Sequence, residues 1–275
     1  MEKVHLINSM HKIERPIFVF GCNNSGTTVL WKTLKGHPDL CGPDVESQTL
    51  PGLPKHMTSY IRETFRLFAH PKFKMCYHVT ENDYREEDHL QIARVFSSFL
   101  TPNKRLVFKS PSDTLRARLI QSYFPDASFV AIVRNGYAVC EGTVRKRRDD
   151  PERPQYTGMF TTYEEAAEQW FRANVMVVSN ASFLKRYKII KYEDLVAQPK
   201  ATLERLTSFC DIDLERLPIP ELKDDLNFKQ IRALAPYQIE SITCIAHPML
   251  EHFEYEVLRK SLHWYRGRTA SGQYI

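Results

Sequence analysis

Four short apolar runs constrain this chain more than any other feature: IFVFG at 17–21, RLVF at 105–108, SFVAIV at 128–133 and YKIIK at 187–191. Each is too short for a helix, is rich in Val, Ile and Phe, and is separated from the next by stretches of helical spacing. Strands covered on both faces read as continuous apolar runs, and strands alternating with helices build a parallel sheet. The expected fold class is therefore α/β, a doubly wound three-layer sandwich with a central parallel sheet. The spacing of Tyr163, Ala166, Ala167, Trp170, Phe171, Val177 and Val178 predicts a long helix over 163–184. Pro199 opens another, carrying Leu203, Leu206 and Cys210. A third follows Ser112, with Leu115, Leu119 and Tyr123 on one face. Residues 53–99 and 141–162 are less regular and are expected to carry substrate contacts near strand ends. The RKRR run at 145–148 reads as a solvated loop. No internal repeat or low-complexity linker interrupts the 275 residues, which are read as a single domain.

After the first apolar run comes Gly21-Cys22-Asn23-Asn24-Ser25-Gly26-Thr27-Thr28, and then a helical pattern through Val29, Leu30 and Leu34. Glycines let backbone approach an anion, and a helix N-terminus offers unpaired N–H groups and a positive dipole end. Ser25, Thr27 and Thr28 add hydroxyl donors. On glycine spacing alone, an ordinary strand-to-helix turn stands equally well. A Walker loop would place lysine after its last glycine to reach the outer phosphates. Thr27 stands there instead, which argues against ATP hydrolysis.

Composition narrows the partners. Hydrophobic residues at 43% suffice for a full core, and a net charge of +5 fits an anionic ligand better than a nucleic-acid duplex. Six cysteines, at 22, 41, 76, 140, 210 and 244, form no CxxC pair and match neither a zinc site nor a disulfide framework. Reduced thiols in a cytoplasmic protein, with no metal, are expected. Residues 1–15 are charged and lack an apolar signal core, and no apolar run reaches the length of a membrane span.

Taken together, PIFVFG…SGTT followed by HPDL (16–40) resembles the 5′-phosphosulfate loop of the sulfotransferases that use 3′-phosphoadenosine-5′-phosphosulfate (PAPS). Four further segments resemble that family in order and spacing. They are Phe108-Lys109-Ser110-Pro111, FVAIVR at 129–134 with Asn135-Gly136, Trp170 with Asn174, and Tyr192-Glu193-Asp194-Leu195 with Pro199. The resemblance spans about 16–212. It implies a P-loop-like phosphosulfate-binding loop in which Asn23, Asn24, Ser25, Gly26, Thr27 and Thr28 hold the donor. It also implies Arg134 on the 3′-phosphate and Tyr192 near the adenine. A salt-bridged Arg134 and a core Tyr192 are the alternative readings. Asn24 stands where the family usually carries Lys or Arg. Gly142 stands where a serine helps hold the 3′-phosphate, with Thr143 beside it as a substitute. Arg266-Gly267-Arg268 is a loose counterpart of the family's C-terminal basic segment.

The same resemblance implies the chemistry, sulfuryl transfer to an acceptor hydroxyl with release of PAP. Sulfuryl transfer resembles phosphoryl transfer in its demands, so positioning and electrostatic stabilisation carry the catalysis. Lys109 is the expected cation for the bridging oxygen. Many members place a basic histidine just after that lysine element, and Lys109-Ser110-Pro111-Ser112 has none. Tyrosylprotein and some carbohydrate sulfotransferases instead place a glutamate after an HPD…CG-like stretch. Here that stretch reads His37 to Glu46, so Glu46 is the expected base and Asp44 the alternate. A P-loop kinase and a non-catalytic PAPS-binding module are the competing functions.

Overall fold

The computed structural model describes residues 13–58, 67–71, 78–148, 161–220, 222 and 226–258. Arg266-Gly267-Arg268 and Cys76 lie outside them. In chain order the strands are β1 (Ile17–Phe20), β2 (Leu40–Cys41), β3 (Arg105–Lys109), β4 (Ser128–Val133) and β5 (Tyr187–Lys191). They form one sheet in the order β2-β3-β1-β4-β5, and every pairing is parallel. The helices are α1 (Thr27–Lys35), α2 (Glu86–Ser97), α3 (Ala117–Tyr123), α4 (Gly136–Arg148), α5 (Tyr163–Asn180), α6 (Tyr192–Ala197), α7 (Pro199–Cys210), α8 (Leu226–Arg232) and α9 (Pro236–His252).

The α/β class with a central parallel sheet is as expected, and all four apolar runs are strands. Two-residue β2 has no apolar run of its own and is defined only by its pairing with Arg105 and Leu106. The RKRR run ends helix α4 rather than forming a loop. Its residues follow a buried apolar turn at Tyr137–Cys140 and continue that helix as its polar end. The less regular stretch 53–99 contains α2, whose charged first turn, Glu86 to Asp88, suits a helix N-terminus.

The chain forms two compact units. The first, Met1–Arg134 with Arg172–Asp224, contains the sheet. Side chains alternate across each strand, so β1 sends Ile17 and Val19 one way and Phe18 and Phe20 the other. Ile17, Val19, Val107, Val130, Ile132 and Ile190 pack with Leu30, Trp31 and Leu34 of α1 and with Leu203 and Leu206 of α7. The opposite face is aromatic. Phe18 stacks on Phe108 and Phe129 at 5.4 and 5.6 Å, and Phe96 of α2 stacks on Phe108 at 4.0 Å. A sheet covered on both sides cannot slip by one residue without exposing an apolar face, so its register is firm.

The second unit, Asn135–Phe171 with Asp225–Ile275, holds α4, the first half of α5, α8 and α9. Gln230 donates to the Ala138 carbonyl and to Glu141, at 3.1 and 2.8 Å. Trp170 is fully buried in this unit against Gly136.

Candidate active site

In a parallel sheet all strands point one way, and ligands collect at their C-terminal ends. Here each of the five strands hands over a site residue at that end. β1 runs into Gly21 and the glycine loop, and β2 into the segment that ends at Glu46. β3 ends at Lys109, β4 is followed by Arg134, and β5 by Tyr192.

The loop is built by its backbone. Gly21 has φ 139°, and a Cβ there would lie 2.3 Å from the Ile132 carbonyl oxygen of β4. Gly26 has φ 99° and caps α1, where a Cβ would lie 2.6 Å from the Tyr192 ring. Both positions require glycine for conformation and for space. Asn24 is left-handed at φ 64°, a conformation asparagine tolerates better than most residues. The Gly21 N–H donates to Thr114 Oγ1 at 3.2 Å, which ties the loop to the segment after β3. The N-cap of α1 is Gly26, which has no side chain to accept from the first N–H groups of the helix. Ser25 is fully buried, and its hydroxyl meets no hydrogen-bond partner among the described residues. A buried donor at an uncapped helix N-terminus fits an anion there.

Arg134 is 4% exposed. It donates through Nη1 to the Asn24 carbonyl at 2.8 Å, and its guanidinium lies 4.4 Å over the Tyr192 ring. Tyr192 is itself buried, so Gly26, Asn24, Arg134 and Tyr192 form one packed group. A planar cation held by stacking and by hydrogen bonding to the loop backbone is pre-organised for a phosphate.

The second half of the site is built by side chains. Lys109 is 3% exposed, forms an ion pair with Glu46, and lies 5.9 Å from the Trp31 ring centre. Its neighbour Ser110 continues the ladder by donating its N–H to the Val19 carbonyl at 3.2 Å. Gln48 donates to Glu46 Oε2 at 2.6 Å and accepts from Ser110 at 2.8 Å and from Ser112. Fully buried Arg116 donates to Ser112 at 2.5 Å and to Asp113 at 2.8 Å. Its other arm donates to the carbonyls of His56 and Met57 at 3.0 and 2.7 Å. Burial pushes the Asp113 carboxyl up, against the pull of Arg116.

Asp44 differs from Glu46. Its side chain is 98% exposed and pairs with Lys35, whose hydrogen bond holds the carboxyl below the usual range. Gly142 and Thr143 lie on α4 in the second unit, where the Thr143 hydroxyl donates to the Val139 carbonyl at 2.8 Å. The first unit thus brings together Asn23 to Thr28, Arg134, Tyr192, Lys109 and Glu46. Sequence reasoning missed Gln48, Ser112, Asp113 and Arg116. The polar run from Ser110 to Asp113 directly after a strand was the available signal. Among the described residues, no group of three or more His, Cys, Asp and Glu side chains could hold a metal ion.

Residues 16–216 match the family model described as "Sulfotransferase family". A protein-tyrosine sulfotransferase of Drosophila melanogaster is 24% identical over 203 residues, 71% of this chain and 38% of that protein. Protein-tyrosine sulfotransferase A of Caenorhabditis elegans is 23% identical, over 71% of this chain and 50% of that protein. The omega-hydroxy-beta-dihydromenaquinone-9 sulfotransferase of Mycobacterium tuberculosis is 24% identical, over 45% of this chain and 33% of that protein. The chain therefore spans half or less of these three proteins. Among solved structures, the sulfotransferase domain of the Synechococcus PCC 7002 olefin synthase superposes with TM-score 0.57 at 21% identity, covering 91% of this chain and 99% of that one. STF9 from Mycobacterium avium superposes with TM-score 0.58 at 14% identity, covering 94% and 81%. These two superpositions show the fold.

Proposed function

We propose, because this chain belongs to the sulfotransferase family, that it moves a sulfuryl group from PAPS to an acceptor hydroxyl and releases PAP. The observation that carries the reading is the uncapped, lysine-free loop around buried Ser25, with Lys109 supplied from the neighbouring strand. In this reading the α1 N–H groups with Ser25, Thr27 and Thr28 cradle the 5′-phosphosulfate. Asn23 and Asn24 shape that loop, Arg134 takes the 3′-phosphate, and Tyr192 supports Arg134 beside the nucleoside. Residues 1–275 serve as one catalytic domain. No helix among the described residues is long and apolar enough to cross a membrane. A cytoplasmic setting is supported by the cysteines among the described residues, Cys22, Cys41, Cys140, Cys210 and Cys244, which are all free thiols.

The transfer divides the labour between the paired groups. The acceptor oxygen forms a bond to sulfur as the bond from sulfur to the bridging oxygen breaks, and PAP leaves with that electron pair. Lys109 meets the charge developing on the bridging oxygen. Glu46 takes the acceptor's proton and passes it to solvent. The ion pair between them therefore opens when donor and acceptor are bound, since each partner is needed at an opposite end of the transfer.

The test has two parts. PAP should raise the melting temperature, increasingly with the logarithm of its concentration above Kd, and ATP with Mg²⁺ should do so far less. A preference for ATP would point to a kinase and sink the reading. With labelled PAPS and an acceptor panel spanning phenols, sugars and lipid alcohols, Glu46→Gln should lower kcat by roughly 10²–10⁴-fold and leave PAP affinity intact. Lys109→Ala should lower kcat strongly, with a smaller effect on PAP binding. PAP binding without transfer to any acceptor would favour the non-catalytic module.

A further inference from the structure

Gln48 is 5% exposed and sits two residues past Glu46, in a short 3₁₀ turn at Ser47–Thr49. Its amide faces two kinds of partner. On one side are the hydroxyls of Ser110, at 2.8 Å, and Ser112; on the other is the carboxylate of Glu46, at 2.6 Å. Arg116 has only donors. It donates to Ser112 at 2.5 Å and to Ser110 at 3.4 Å, so both serines turn their own protons elsewhere. The two hydroxyls lie 3.0 Å from one another, and the Gln48 oxygen lies closer to each of them than they lie to one another. The opposite amide orientation would set that oxygen against the carboxylate of Glu46, so Nε2 is the atom that faces it. The chain of donors runs one way, from Arg116 through the two serines and Gln48 to Glu46 Oε2. Lys109 occupies the other carboxylate oxygen, Oε1.

We infer that Gln48 is a positioning residue. It holds Glu46 by Oε2 throughout turnover, so that Oε1 is the atom left to take the acceptor's proton once Lys109 turns to the bridging oxygen. This rests on the reading of Glu46 as the base. Without Gln48, Glu46 would lose its second anchor at the moment it loses Lys109, and the carboxylate would swing between orientations when the acceptor arrives. A one-ångström misplacement of a reacting group suffices to slow a transfer by about 10²-fold.

Gln48→Met keeps the length and apolar packing of the side chain and removes the donor. Turnover is read as labelled sulfate released from PAPS to water and as transfer to a tyrosine-containing peptide. The substitution should lower kcat by roughly 10- to 100-fold, the worth of one hydrogen bond to a charged group. KM for PAPS and the affinity for PAP should stay within about 2-fold, since the donor loop is untouched. In a Glu46→Gln background the same substitution should have no further effect. Gln48→Glu, which sets a second carboxylate beside the first, should be slower than Gln48→Met. Two results would overturn the inference alone. One is wild-type kcat in Gln48→Met while Glu46→Gln is slow. The other is full additivity of the two losses, which would mean that Gln48 acts through the fold. Wild-type turnover by Glu46→Gln overturns the base reading itself, and this inference with it.

Discussion

Residues 21–28 and residues 46–48 lie at the same edge of one sheet and keep their shapes by opposite means. The donor loop is fixed by backbone: two glycines at positive φ, one pressed against a carbonyl of β4 and the other against the ring of Tyr192. The Glu46 segment is fixed by side chains, through Gln48, two serines and a buried arginine. A cradle for a group common to every turnover can be rigid and steric. On the proposed reading, Glu46 must release Lys109 and then take a proton, so its contact with Lys109 has to be exchangeable. That reading puts specificity for the donor in the main chain and the timing of the chemistry in the side chains.

The sharpest way to break the contrast is Gly21→Ala. A Cβ 2.3 Å from the Ile132 carbonyl cannot be relieved by a rotamer change, because both partners are backbone. We expect a loss of stability of about 4 kcal/mol or more, read by denaturant unfolding, together with loss of PAP binding. A variant as stable as wild type would show that the loop is not sterically fixed. Arg134→Ala comes next. Its loss should weaken PAP by about 2 kcal/mol more than it weakens adenosine 5′-phosphosulfate, which lacks the 3′-phosphate. Calorimetric titration of the two ligands measures the difference, and equal weakening would leave Arg134 with a structural role only. The smallest effect sharpens the other half. Asp44→Asn should change kcat by less than about 2-fold, because this carboxylate is exposed and engaged with Lys35. A loss like that of Glu46→Gln would exchange the roles of the two acids.

What could be read from sequence follows the same division. The strands and the glycine loop were legible because their signals are local: apolar runs, glycine positions, and a helical pattern starting at Thr27. Arg134 stood out as a candidate because it follows an apolar strand, where a charge needs a partner, and Lys109 because Phe108-Lys109-Ser110-Pro111 resembles a family element. β2 was not, since two residues carry no periodicity, and neither was the helical continuation of the RKRR run. Gln48 and Arg116 were hidden for a different reason. Nothing in the order of residues says that an amide near position 48 will meet hydroxyls at 110 and 112. Such a network exists only after β2 and β3 are side by side.

The contact between Arg134 and the Asn24 carbonyl joins groups 110 residues apart in the chain, and the Tyr192 ring against Gly26 comes later still. Closing such long loops costs chain entropy that local contacts do not repay. A growing polypeptide that has made β1, α1 and even β4 therefore still lacks one wall of the proposed nucleotide cradle. The wall arrives with Tyr192, directly after β5. On the proposed reading, competence to bind the donor is thus a property of the finished unit, and a chain that stops before β5 cannot hold nucleotide in the completed cradle.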